Sequence, residues 1–177
     1  MSVLLSSFFK SRRRIIRAKA RREKGATAVE MALIAPAFFL LLIGITEFSL
    51  MLAAQQLLDN ATYNATRAAK TGYTAGGMTQ LQTVTQILDN ELASYGSMID
   101  ITKVTLTSTA YDDFATIGTG GTAGMGNPDQ IVVYTVTYPW KFFTPMMGSF
   151  LGTWNAGVNA FVATLTSRIV VRNEPFG

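Results

Sequence analysis

The sequence predicts an α+β protein: a long N-terminal transmembrane helix continuing into a small globule with a short antiparallel sheet packed on helix. Three observations predict it. An uncharged apolar run, MALIAPAFFLLLIGIT (Met31–Thr46), follows a strongly basic leader. An apolar repeat of three and four residues then continues the helix to Gly72. Beyond that, alternating β-branched segments fill the second half of the chain.

The leader comes first. The chain has 177 residues, 49% of them hydrophobic and 15% charged, more apolar than an ordinary soluble domain. Its formal charge of +4 hides an asymmetry. Nine Lys and Arg against Glu23 alone give residues 1–25 a charge of +8, leaving −4 for the remainder. Such a basic arm binds phosphates nonspecifically, but no nucleic-acid recognition motif follows it. Cations beside an apolar stretch mark the cytoplasmic side of a membrane, so no nucleic-acid partner is expected. With no cysteine and no histidine, disulfides and cysteine-ligated metals are excluded, and the commonest general base is missing. No cofactor is expected.

As a helix, Met31–Thr46 measures about 24 Å, short of the roughly 30 Å hydrocarbon core. Extension to residues 26–54 suffices and takes in two acids, Glu30 and Glu47. Glu47 lies toward the far end, within reach of the interface. Glu30 is one turn inside the near end, where a carboxylate is tolerated if it snorkels and benefits from the helix dipole. Pro36 removes a hydrogen bond from the helix interior, which predicts a kink and loosened local bonding.

The residues around Glu30 say more. Gly25 closes the cationic run, Glu30 is the fifth residue after it, and the apolar run starts at once. This resembles the processing site of type IV prepilins, which a membrane aspartyl peptidase cuts after the Gly on the cytoplasmic face. Cleavage between Gly25 and Ala26 leaves an ammonium one helical turn from Glu30. The resemblance implies that Glu30 serves recognition and assembly, meeting the N-terminal ammonium of a neighbouring subunit; a buried carboxylate becomes tolerable when so paired. Two rivals stand beside this. A secretory signal peptide needs a small-x-small site, and MLAAQQLL offers a poor one. An uncleaved signal anchor needs no special Gly.

The stretch GATAVEMALIAPAFFLLLIGITEF is, more narrowly, similar to the N-terminal signature of the TadE-like family, minor pseudopilins of the tight-adherence (Flp) pilus. The matching features are Gly25, Val29–Glu30, Pro36 and Gly44-Ile-Thr-Glu47-Phe48. The tail Arg172-Asn173-Glu174 resembles that family's Arg-x-Glu ending. One departure is Ala26, where many type IV pilins place Phe or Met. The resemblance implies residues 1–25 as a cytoplasmic leader, 26–54 as the membrane helix, 55–72 as its amphipathic continuation, and 73–177 as a periplasmic or extracellular domain. It implies residence in the bacterial inner membrane, with a possible place in the surface pilus. It implies as partners a prepilin peptidase, other pilin and pseudopilin subunits, the inner-membrane assembly machinery and membrane lipid, and no enzymatic activity. The alternative is an uncleaved single-pass protein with a periplasmic binding domain.

The later elements follow from periodicity. Ala54, Leu58, Ala61, Ala65 and Ala68 form a stripe on the continuing helix, with Gln55, Gln56, Asp59, Asn60, Asn64 and Arg67 mostly off it. Thr79 and Gln82 make a capping box for a second helix carrying Leu81, Val84, Leu88, Leu92 and Tyr95. Strands are expected at Lys103–Tyr111, at Ile131–Trp140 with Val132, Tyr134, Val136 and Tyr138 on one face, and at NAFVATLTSRIVVR with Phe161, Ala163, Leu165, Ile169 and Val171 on one face. The apolar FFTPMMGSFLGTWNAG reads as a packed loop or short helix, with a contact surface as the alternative.

Nothing along the chain assembles a catalytic group. Gly118–Ala123 has a G-x-G-x-x-A pattern but precedes a strand, outside any βαβ unit, and reads as a loop. Adjacent Asp112 and Asp113 point apart instead of facing each other across a substrate, as a hydrolase acid pair must. Asp129 reads as a loop cap before the following strand.

Overall fold

The computed structural model describes the backbone of residues 2–96 and 98–175, and the side chains of residues 25, 27–96 and 98–175. The cationic side chains of residues 1–24 and that of Ala26 lie outside the described residues. Two compact units result, residues 1–46 and 47–177. Helix α1 (Ser2–Lys70) contributes to both.

In the first unit, the large apolar side chains between Val29 and Ile45 are exposed all round the helix. A helix apolar on every side has the composition of a membrane span. Thr27–Lys70 is long and apolar enough to cross a membrane by length and composition.

In the second unit α1 becomes one-sided. Ala54, Leu58, Ala61, Ala65 and Ala69 are buried, along with Thr62 and Thr66. The stripe was expected to end on Ala68; it ends on Ala69, because a 3.6-residue turn advances the buried face by four residues more often than by three. The two buried threonines satisfy their hydroxyls locally, donating to Leu58 O at 2.6 Å and Tyr63 O at 3.0 Å. Gly72, at φ 66°, stops the helix as the sequence predicts, with its N–H on Ala69 O and that of Tyr73 on Ala68 O.

Helix α2 (Gln80–Ser94) starts with the expected capping box: Gln82 N–H donates to Thr79 Oγ1, and Thr79 N–H to Gln82 Oε1. Val84, Leu88 and Leu92 are buried. Leu81 and Tyr95, at the helix ends, are exposed. A 3₁₀ turn occupies Ile101–Lys103, so strand β1 is Thr105–Tyr111, two residues shorter than expected. Asp100 caps that turn, and Lys103 with Thr102 holds its carboxyl down to about 2.

The remaining strands are β2 (Thr122–Ala123), β3 (Ile131–Lys141), β4 (Thr153–Asn155) and β5 (Ala160–Arg172), with helix α3 (Pro145–Leu151) between β3 and β4. They form one antiparallel sheet in the order β2-β1-β3-β5-β4. The central ladder pairs β3 with β5 from Ile131↔Arg172 to Lys141↔Val162. Val132, Tyr134, Val136, Tyr138 and Trp140 of β3 join the α1 stripe and the α2 face in one core. Gln55 Nε2 donates to Thr166 O at 3.1 Å and Glu174 N to Lys70 O at 2.9 Å, so α1 runs alongside β5 in the same direction. The lengths agree: residues 47–70 of a helix rise about 35 Å, and β3 extends about 34 Å.

Tyr134, the largest fully buried side chain, has a hydroxyl with no hydrogen-bond partner among the described residues. Burial pushes it up to about 12. Its ionised form is therefore disfavoured in the fold. Stability from this group is complete below pH 10 and drains as pH rises from 10 to 12. Tyr134→Phe removes a buried unpaired hydroxyl and is expected to be within about 1 kcal/mol of wild type, or more stable, at pH 7. Between pH 10 and 12 the wild type is expected to lose about 2–3 kcal/mol more than the variant. Denaturant titrations of both proteins at pH 7, 10 and 12 check this.

Candidate functional site

The sequence-predicted residues lie on α1, and the structure separates them into two settings. Gly25 and Glu30 are exposed on the first unit. Pro36 is inside the helix, where its missing N–H leaves the Ala32 carbonyl without its usual donor. Among these exposed, apolar surroundings Glu30 is the one carboxylate between Glu23 and Glu47.

Glu47 belongs to the second unit. Only 3% of it is exposed, although its sequence context points to an interfacial acid. Its carboxylate accepts from the Phe143 N–H, the Thr144 N–H and the Thr144 hydroxyl; Thr144 N lies 3.2 Å from Oε1 and 3.3 Å from Oε2. Thr144 is also the N-cap of α3, its Oγ1 accepting from Met147 N–H. A buried acid is stable here because converging donors replace the water it lost. The segment expected to be membrane-embedded to residue 54 thus contains residues committed to the domain core, Glu47 and Ala54 among them.

Sequence reasoning missed the partner, Thr144. Its signal was present: Thr-Pro before a short apolar run is a helix start, with the hydroxyl at the N-cap and Pro in the first turn. The segment Phe142–Gly157 both packs and projects. Phe142 is buried, and Gly148 lies so close to Phe161 that an added Cβ would sit 2.4 Å from the Phe161 Cβ. Phe143, Phe150 and Trp154 are exposed.

The tail Arg172-Asn173-Glu174 closes the far end of the domain. Arg172 Nε donates to Asp129 O at 3.2 Å. Buried Asn173 donates from Nδ2 to Met125 O and Asn127 O, pinning the glycine-rich loop. Glu174 pairs with Lys70 at 3.1 Å.

The acids weighed as a hydrolase pair are occupied separately: Asp112 accepts from Gln130 Nε2 at 2.6 Å, and Asp113 caps a 3₁₀ turn at Phe114–Thr116. The G-x-G-x-x-A stretch leads into the edge strand β2, with no helix behind it. An open groove of about 830 Å³ lies beside Tyr63, Arg67, Ile87 and Glu91.

The family model described as TadE-like protein matches residues 25–67. No curated protein and no solved structure matches the chain. The matched stretch, about a quarter of the chain, holds Gly25, Glu30, Pro36 and Glu47 together, and over it the chain is similar to the TadE-like family.

Proposed function

We propose that the chain is a minor pseudopilin of a tight-adherence (Flp) pilus. A prepilin peptidase cuts it after Gly25, the helix holds it in the inner membrane with its domain on the periplasmic side, and it joins other subunits through that helix. The observation that supports this most is the placing of Glu30. It stands five residues after Gly25, at the head of an exposed apolar helix, within the TadE-like stretch. The basic leader orients the chain with its N-terminus in the cytoplasm. Cleavage removes that leader and supplies an ammonium beside Glu30, converting a lone acid in an apolar setting into half of an ion pair. Pro36, by freeing a carbonyl in mid-helix, eases passage from bilayer to assembly.

Intact mass of the protein from cells with and without the peptidase tests the proposal. The expected product begins at Ala26 and disappears without the peptidase or with Gly25→Leu. A full-length mass in both strains supports an uncleaved anchor instead. A fragment beginning near Gln55 supports a secretory signal.

A further inference from the structure

The aromatic surface around α3 is tied to the core and yet turned outward. Glu47 fixes its start through Thr144, Gly148 seats it on Phe161, and Gly152 brings Phe142 so near that an added Cβ would lie 2.8 Å from its ring. On this braced frame Phe143 is 74% exposed, Phe150 79%, Trp154 52% and Leu151 43%. Trp154 stacks edge-on against Phe161, with centroids 5.1 Å apart, which fixes one flank of the indole and leaves the rest free. Exposed apolar side chains gathered within one short stretch mark a contact surface.

Two facts select the cover. The first is position. Residues 27–46 rise about 30 Å as a helix, the thickness of the hydrocarbon core. Glu47 is the next residue, and it grips the N-cap of α3 directly. Along α3 no residue lies more than about 10 Å from that grip, comparable with one headgroup layer. The second is charge. From Gln130 to Ser167 the only formal charge is Lys141, a cation. Asp112, Asp113, Asp129 and Glu174 cluster at the opposite end of β3, about 34 Å away. Asp100, which lies near Tyr138, is paired with Lys103. An uncharged aromatic surface with one cation, next to the exit of a membrane span, has the composition of a bilayer interface, where Trp rings settle at headgroup level and Phe and Leu side chains enter the boundary between headgroups and acyl chains.

We propose that Phe143, Phe150, Leu151 and Trp154 form a lipid-binding surface that rests on the outer headgroups of the bilayer crossed by residues 27–46. This rests on the membrane-spanning reading of the helix. The subunit then stands on its membrane with two contacts, a span and a foot. Leaving the bilayer requires both to be released.

The full chain in vesicles of phosphatidylethanolamine and phosphatidylglycerol, with lipids brominated at shallow or deep acyl positions, tests the foot. Trp140→Phe leaves Trp154 as the sole indole; its emission is expected to fall about twofold with shallow bromines and little with deep ones. Should Trp140→Phe fail to fold, the difference between the intact chain and Trp154→Phe supplies the same signal. A companion chain, Trp140→Phe/Trp154→Phe/Leu40→Trp, reports the span and is expected to respond to deep bromines. Quenching of the companion without quenching of Trp154 overturns the foot and leaves the span standing. Quenching of neither overturns both. Trp154 blind to brominated lipid, yet shielded from acrylamide as the protein-to-lipid ratio rises, identifies a second copy as the cover and also overturns the proposal.

Discussion

Glu47→Ala is expected to destabilise residues 47–177 by about 3 kcal/mol, since hydrogen bonds to a charged acceptor are worth about 1.5–3 kcal/mol and lost partners in a buried setting add their own desolvation cost. Three donors converge on this carboxylate, from Phe143 N, Thr144 N and Thr144 Oγ1. Alanine leaves them facing a cavity where water enters poorly. For a domain of this size the midpoint of thermal unfolding should fall by about 10 °C. Glu47→Gln keeps one acceptor oxygen but brings an amide N–H₂ toward the Thr144 N–H, so a smaller loss is expected, about half. Thermal unfolding of full-length variants in detergent, followed by circular dichroism, gives the comparison. Equal effects of Ala and Gln count against a charge-assisted contact. No effect of either counts against the contact itself.

Glu30→Ala is expected to leave folding untouched and to cut incorporation into the assembled pilus more than about 100-fold, the equivalent of the 3–5 kcal/mol that removal of one partner from a buried ion pair costs. The side chain is exposed on the first unit and makes no contribution to the buried core. The proposed role is intermolecular, so the substitution separates assembly from folding. Glu30→Gln keeps the shape and a hydrogen-bonding oxygen while removing the charge. If the pair with the new ammonium matters, Gln fails nearly as badly as Ala. Quantitative immunoblotting of sheared surface fibres against membrane fractions separates assembly from expression, and intact mass on the same samples separates assembly from cleavage. Normal incorporation of Glu30→Ala refutes the assembly role.

Much of the fold was legible because its elements obey simple periods. The capping box at Thr79 and Gln82, the alternation in β3 and β5, and the helix stop at Gly72 each depend on neighbours within one turn or one pleat. Local rules reach that far. They placed Glu30 and Pro36 on one helix because a helix is itself a local object, whereas the helix, expected to start at residue 26, also takes in Gly25. The contacts of Glu47 were out of reach for a physical reason. Thr144 lies 97 residues away, and nothing in a pattern of three and four residues encodes which distant backbone will approach an acid. The same holds for Asn173, whose amide is buried against Met125 and Asn127 by the return of β5 along β3. The two-residue strand β2 escaped because Gly-rich, exposed pairs carry no hydrophobic alternation. For the exposed rings of Phe143, Phe150 and Trp154 packing was the first reading and a contact surface the alternative, because apolar composition alone does not say which side of a short segment faces in.

The clasping of α1 at both ends of its path along the sheet has a mechanical consequence. Near its start, Glu47 hooks the α3 turn; at its finish, Lys70 meets Glu174 and the chain's last described strand. Between them, a row of alanines and Leu58 lies flat on the core. Tension applied along this rod acts parallel to β3 and β5, so it shears many weak contacts together instead of peeling them singly. The globule can then be towed by its stem without being pulled open.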